Sequence, residues 1–186
     1  MRADRARTIG SLRRIAVIGC GGSGKTTLAR HLGERLRLPV LHIDSFYWRD
    51  EGGVRVESTP EQWQAVHEQM ISGERWVIDG TKLGVLPARL AAADTVIFLD
   101  LPTWRCLLNV VRRRLRFRGQ LRPDLGVYDV IGWQFIRWIC LFRREHRPRI
   151  LALLAQARCN VVILRDREEI ERFLDNLDAG SAALAA

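Results

Sequence analysis

Short apolar runs alternate with longer segments of helical periodicity along most of this chain. Five runs rich in Val, Ile and Leu predict buried strands at Arg14–Ile18, Val40–Ile43, Trp76–Ile78, Thr95–Leu99 and Asn160–Leu164. The segments between and after them predict helices at about Thr26–Arg37, Pro60–Ser72, Leu83–Ala92, Thr103–Phe117, Ile131–Ala157 and Arg167–Leu177. This alternation indicates βαβ units, so we expect an α/β fold with a five-stranded parallel sheet between two layers of helices.

The segment between the first strand and the first helix reads Gly-Cys-Gly-Gly-Ser-Gly-Lys-Thr. It is a complete G-x-x-x-x-G-K-[ST] phosphate loop (Walker A), and the flanking strand and helix are the context that this motif requires. Its glycines let main-chain N–H groups approach phosphates, Lys25 can reach the β- and γ-phosphates, and the Thr26 hydroxyl suits Mg²⁺. We therefore predict a P-loop NTPase fold with ATP and Mg²⁺ as cofactors. The residues predicted to bind them are Gly19, Cys20, Gly21, Gly22, Ser23, Gly24, Lys25, Thr26 and Thr27.

Three predicted strands are followed by a carboxylate, namely Asp44, Asp79 and Asp100. The carboxyl ends of parallel strands share one edge of the sheet, and the phosphate loop lies at that edge. Three acids there favour magnesium and hydroxyl chemistry, with Mg²⁺ held through water. Capping or turn formation is the alternative for any one of them, and above all for Asp100.

Two connecting segments have a composition that is typical of mobile flaps and lids. Residues 45–72 are rich in aromatic side chains, and we interpret them as an acceptor-binding flap or, alternatively, as a packed surface excursion. Residues 118–130 begin with a stretch rich in Gly, Pro and Arg, which predicts a short lid or, alternatively, a solvated basic loop. The length suits one domain, expected over residues 14–178, with a flexible basic tail at 1–13 and a loose tail at 179–186.

The net charge of +9 is concentrated in one segment. Residues 101–150 contain twelve arginines and three acids, whereas basic and acidic residues balance in the rest of the chain. Arginine binds phosphate in a bidentate manner, so the cluster fits a polyphosphate clamp, and contact with nucleic acid is the other interpretation.

The remaining composition points to an ordinary intracellular globular protein. The four cysteines contain no C-x-x-C pair, which argues against a disulfide framework or a zinc site. No apolar run reaches the length of about 18 residues that spans a bilayer, and the first residues lack the apolar core of a signal peptide. We expect a cytoplasmic protein that is a monomer or a homodimer and has no membrane partner.

As a set, these motifs resemble the adenylate-kinase-like group of P-loop kinases and, within it, bacterial DNA topology modulation proteins. The resemblance spans roughly residues 14–177. It rests on residues 19–27, 42–48, 75–80, 93–100, 112–114, 118–119, 122–124 and 142–148.

The resemblance implies roles for individual residues. Asp44 would lie near the acceptor hydroxyl or a magnesium-bound water, and Asp79 near magnesium-bound water. The arginines implied to surround the transferred phosphoryl group are Arg114, Arg118 and Arg122, together with their neighbours Arg112 and Arg113; Arg143, Arg144 and Arg147 are further candidates.

The sequence departs from adenylate kinases at the acceptor side. Asp-Ser-Phe-Tyr follows strand two and Asp-Gly-Thr-Lys follows strand three, in place of the signatures that adenylate kinases carry there. AMP is therefore disfavoured as the acceptor. Lys82 either contacts an anionic acceptor or points to solvent.

Three functions follow from these observations. The first is phosphoryl transfer from ATP to a small acceptor, with a nucleotide or nucleoside favoured. In it, Asp44 orients or deprotonates the acceptor while Lys25 and the lid arginines stabilise the transferred group. The second is an ATP-binding protein that is associated with nucleic acid and modulates DNA topology. The third is a regulatory ATPase without a small acceptor.

Overall fold

The fold is described from a computed structural model. It describes residues 12–51, 54–57, 59–117, 121–122, 127–128 and 132–183, with side chains at 12–46, 59–116 and 132–179.

Strands and helices alternate along the described residues. The strands are β1 (Arg14–Gly19), β2 (Val40–His42), β3 (Trp48–Glu51), β4 (Val54–Glu57), β5 (Trp76–Asp79), β6 (Thr95–Leu99), β7 (Leu121–Arg122), β8 (Val127–Tyr128) and β9 (Asn160–Leu164). The helices are α1 (Lys25–Leu36), α2 (Ile43–Tyr47), α3 (Pro60–Ile71), α4 (Leu86–Ala92), α5 (Thr103–Phe117), α6 (Trp133–Glu145), α7 (Arg147–Gln156) and α8 (Arg167–Ala183).

Five strands form a parallel sheet in the order β2-β5-β1-β6-β9. The central strand β1 has four consecutive fully buried residues, Ile15 to Ile18. Successive side chains of a strand point to opposite faces, so helices cover both faces of the sheet. The predicted three-layer α/β fold with five parallel strands is confirmed. Because β1 and β5 are neighbours, the phosphate loop that follows β1 lies beside the turn that follows Asp79.

The insertion between β2 and β5 contains an antiparallel β3–β4 hairpin and helix α3. Thr59 begins α3 with a capping box, because its hydroxyl accepts from the Gln62 N–H while the Gln62 side chain accepts from the Thr59 N–H. Trp63, His67 and Met70 bury the inner face of α3. The hairpin was not predicted; the flap role of this segment stays a prediction.

Three expectations about elements need correction. The single helix predicted at 131–157 is two helices, because Pro148 has no N–H to continue α6 and instead occupies the first turn of α7. Strand two ends at His42, and Asp44 lies in the first turn of α2. Helix α8 continues to Ala183, beyond the expected start of a loose tail at 179, and the alanines there favour helix.

Several predicted parts lie outside the described residues. These are residues 1–11 of the basic tail, most of the lid, and residues 184–186. Within the lid segment, β7 and β8 pair in antiparallel register. The single-domain boundaries stay a prediction.

Candidate active site

The phosphate loop follows β1 in a conformation that depends on glycine. Gly22 and Gly24 have φ angles of +78° and +92°, in the left-handed region that residues with a Cβ rarely adopt. A Cβ at Gly22 would also collide with the carbonyl oxygen of Cys106 on α5. Gly24 is the N-cap of α1 and makes no side-chain cap, so the first N–H groups of α1 remain available to an anion.

The side chains of Lys25, Asn109 and Thr81 form hydrogen bonds with the main chain of the loop. The Lys25 ammonium donates a hydrogen bond of 2.8 Å to the Cys20 carbonyl across the loop. The amide of Asn109 on α5 donates to the Gly22 carbonyl at 2.9 Å. Ser23 is buried, and its hydroxyl has no hydrogen-bond partner among the residues that the structure describes.

Thr81, in the turn after β5, makes the third attachment. Its hydroxyl accepts from the Gly19 N–H at 2.9 Å and donates to the Gly19 carbonyl at 2.7 Å. One oxygen thus ties the turn that follows Asp79 to the first residue of the phosphate loop. Sequence analysis noticed Thr81 as a departure from related kinases but assigned it no contact.

A cleft of about 1140 Å³ opens over the loop. Of the predicted site residues, it brings together Gly21, Gly22, Gly24, Lys25, Thr26, Thr27, Asp44, Arg112 and Arg113. The other residues that line it are Arg30, Thr81, Lys82, Asn109, Arg116, Gln134, Phe135, Trp138 and Arg167.

The three predicted carboxylates have different surroundings. Asp44 is exposed and lines the cleft. Asp79 is 5% exposed, and its carboxylate is 2.6 Å from Nδ1 of His42. Asp100 is also buried and accepts from Arg147, with N···O distances of 2.7 to 3.0 Å, while Arg143 lies at 3.7 Å. Among the described side chains, Asp44 is therefore the one carboxylate of this trio that faces the cleft.

The arginines of α5 divide between two sides of the helix. Asn109, Arg112, Arg113 and Arg116 line the cleft together, at the i, i+3, i+4, i+7 spacing of one helix face. Of the run that the resemblance implied, Arg112 and Arg113 therefore line the cleft, whereas Arg114 is exposed and is absent from the lining. The spacing was the signal that could have identified Arg116. Arg118 lies outside the described residues; Arg122 belongs to β7, but its side chain is not among those described.

An aromatic pair on α6 covers one side of the loop. The rings of Phe135 and Trp138 lie 6.1 Å apart and nearly parallel, at 13°. A Cβ at Gly21 would come within 2.7 Å of the Phe135 ring, so these rings pack directly against the loop backbone. Sequence analysis missed this contact, because nothing in the sequence links α6 to the loop.

Two buried polar side chains, those of Arg89 and His67, lie near each other. Arg89 on α4 is fully buried; its Nη1 donates to the Gly80 carbonyl at 2.8 Å, and its Nε and Nη2 have no hydrogen-bond partner among the described residues. Burial lowers the pKa of Arg89 to about 10, although the negative charges of Asp79 and Asp44 act in the opposite direction and raise it. Burial, together with the charge of Arg89, lowers the pKa of His67 to about 4.

The cysteines are all free, and none of them lines the cleft. Cys20 and Cys106 are buried near each other. The hydrogen bond with the Cys106 thiol and burial raise the pKa of Cys20, so Cys20 remains a protonated thiol rather than a nucleophile.

The described residues contain no group of three or more His, Cys, Asp or Glu that could hold a metal ion. Within the same part of the chain, every helix is too short or too polar to cross a bilayer.

Comparison with known proteins finds a similar fold in solved kinases. No family model matches the chain. The uncharacterized protein YqaC of Bacillus subtilis (strain 168) is 26% identical over 89% of this chain and 97% of its own length. Shikimate kinase from Acinetobacter baumannii, solved with shikimate, aligns with a TM-score of 0.56 at 19% identity, over 90% of this chain and 91% of that one. A gluconokinase from Sinorhizobium meliloti 1021 aligns with a TM-score of 0.50 at 18% identity, over 94% of each chain.

Proposed function

We propose that this protein is a P-loop kinase that uses ATP and Mg²⁺ to phosphorylate a small acceptor, with a nucleotide or nucleoside favoured. One observation carries the proposal. The phosphate loop, the carboxylate of Asp44 and the arginine face of α5 all line the same cleft. These are the donor-binding, acceptor-orienting and charge-stabilising groups that phosphoryl transfer requires.

The loop fits the triphosphate and its metal. Its backbone leaves no room for a Cβ at Gly22, and the uncapped N-terminus of α1 offers N–H donors beside Lys25. The Thr26 hydroxyl would be a ligand of Mg²⁺, and Asp44, Asp79 and Asp100 are proposed to act on it through water. When bound, ATP supplies the phosphoryl group and Mg²⁺ neutralises part of its charge.

The remaining roles fall to side chains around the cleft. Asp44 orients the acceptor hydroxyl and accepts its proton, and His42 fixes the carboxylate of Asp79. Arg112, Arg113 and Arg116 stabilise the negative charge of the transferred group. Arg114 on α5 and the predicted lid residues Arg118 and Arg122 remain proposed contributors.

Other observations support this function over its alternatives. The two solved kinases named above act, by their names, on shikimate and gluconate, which are small molecules. Three arginines of the basic segment line the cleft, which supports a phosphate clamp rather than a nucleic-acid surface. The narrower resemblance to DNA topology modulation proteins stays a prediction, as do the intracellular location and the oligomeric state.

The test is transfer of label from γ-phosphate-labelled ATP to a pool of metabolites. We expect a labelled small product that disappears with Lys25→Ala and persists with Arg158→Gln, an exposed residue outside the cleft. ATP hydrolysis without a labelled acceptor would instead support a regulatory ATPase. DNA binding that weakens steeply with salt, without transfer, would support the nucleic-acid function.

A further inference from the structure

Cationic side chains outnumber carboxylates around the cleft. Among the described residues that line it, Asp44 is the only acid. The seven cationic residues in the same lining are Lys25, Arg30, Lys82, Arg112, Arg113, Arg116 and Arg167. These side chains come from the loop and α1, from α5, from α8 and from the turn after β5, so cationic groups are not confined to the elements that the proposed transfer step uses.

Lys82 carries this charge at the acceptor side. It follows Thr81 in the turn after β5, and both residues line the cleft together with Asp44. The two hydrogen bonds of Thr81 to Gly19 fix the position of that turn. Lys82 thus lies on a different element from the loop lysine and the α5 arginines that the proposed transfer step uses.

Arg89 lies beneath the same turn. It contacts the Gly80 carbonyl, is fully shielded from solvent, and makes no ion pair with a carboxylate among the described side chains. A guanidinium stays charged at neutral pH, and its field is weakly screened in a buried environment. Arg89 therefore places a fixed positive charge behind the residues that face the acceptor, and the nearby carboxylates of Asp79 and Asp44 offset it in part.

We propose that the acceptor carries an anionic group, a phosphate or a carboxylate, which Lys82 contacts directly and which Arg89 attracts from beneath the turn. This inference rests on the proposed kinase function and sharpens it. It favours a nucleotide over an uncharged nucleoside, and an acid over a neutral sugar. Lys82 is then a residue that determines acceptor specificity, separate from the residues that bind ATP.

The first test measures anion binding to the protein after saturation with Mg²⁺ and a non-hydrolysable ATP analogue. Calorimetric titrations with inorganic phosphate and with acetate distinguish the two anion classes. We expect saturable binding of at least one, weakened about tenfold or more in Lys82→Gln, because a charge-assisted hydrogen bond is lost. The exposed control Arg158→Gln, beside the start of β9, is expected to bind as the unaltered protein does.

Each outcome of this titration decides the question. Absence of saturable binding by both anions overturns the inference, and so does binding that Lys82→Gln leaves unchanged. Failure of the ATP analogue itself to bind would instead refute the proposed function.

The second test uses the product of the label-transfer experiment. A labelled product that bears a phosphate or carboxylate besides the transferred group supports the inference. A product whose acceptor was uncharged overturns it, even though the kinase function would stand.

Discussion

The proposed nucleotide side and the proposed acceptor side of this cleft meet at one sheet edge but are constructed differently. The nucleotide side is made mostly of main chain: two left-handed glycines, an uncapped helix N-terminus and one lysine. The acceptor side depends on side chains from separate elements, including buried Arg89 and His67, which have nitrogens without a hydrogen-bond partner among the described residues. The nucleotide side is therefore expected to be sensitive to an added Cβ, whereas the acceptor side is expected to be sensitive to changes of charge and pH.

The largest expected effect concerns the nucleotide side, through Gly22→Ala. The new Cβ would collide with the Cys106 carbonyl, and alanine disfavours a φ of +78°. These penalties together amount to about 3 kcal/mol, so ATP affinity measured by calorimetry is expected to fall on the order of 100-fold. Gly84→Ala is the control, since a Cβ there meets nothing within 4 Å. Equal ATP affinity of the two variants would contradict the main-chain description of this side.

The second prediction concerns pH and the acceptor side. Burial and the charge of Arg89 lower the pKa of His67 to about 4 in the folded protein, from its ordinary value of 6.5 in the unfolded chain. Its stabilising contribution is therefore complete above about pH 6.5 and is lost as the pH falls towards 4, by up to about 3 kcal/mol. Urea unfolding at a series of pH values measures this loss, and His67→Met is expected to flatten it. An equally steep decline in His67→Met would assign the effect to other groups.

The third prediction tests the link between the two sides. Thr81→Val removes both hydrogen bonds to Gly19 with little change in shape and is expected to weaken ATP binding by about 1–2 kcal/mol. Thr81→Ser keeps the hydroxyl and should restore most of the affinity. If Ser and Val behave alike in a calorimetric titration, the hydroxyl does not position the loop.

The smallest expected effect is that of Asn109→Ala. This exposed amide donates one hydrogen bond to Gly22, and its loss is expected to raise the dissociation constant for ATP roughly two- to fivefold. The measurement is the same titration. A larger loss than that of Thr81→Val would show that α5, rather than the turn after β5, holds the loop.

The predictable parts of this molecule are those encoded by neighbouring residues. The sheet strands and the phosphate loop follow from local apolar runs and one continuous motif, and the structure reproduces the five strands to within about a residue at each end. The contacts that were missed join distant segments. Asp100 pairs with Arg147, 47 residues away, and Gly19 bonds with Thr81, 62 residues away, and no local pattern encodes either contact.

The arginines of α5 show a second limit of prediction from the sequence. Their abundance predicted a phosphate clamp, but abundance does not specify which of them face the cleft. A rotation of about 100° per residue separates Arg114 from Arg113, and the direction of the helix relative to the core decides between them. That direction depends on the packing of Cys106 and Val110, both fully buried, which a count of arginines does not include.

The double hydrogen bond of Thr81 also has a thermodynamic consequence. The hydroxyl oxygen of Thr81 joins the turn that bears Lys82 to Gly19, the first residue of the phosphate loop. A displacement of either segment therefore strains these two hydrogen bonds. If one substrate orders that turn when it binds, the binding free energy of the other substrate changes. Thermodynamic linkage requires this effect to be equal in both directions. The two substrates would then bind with cooperativity whose size is the same whichever of them arrives first.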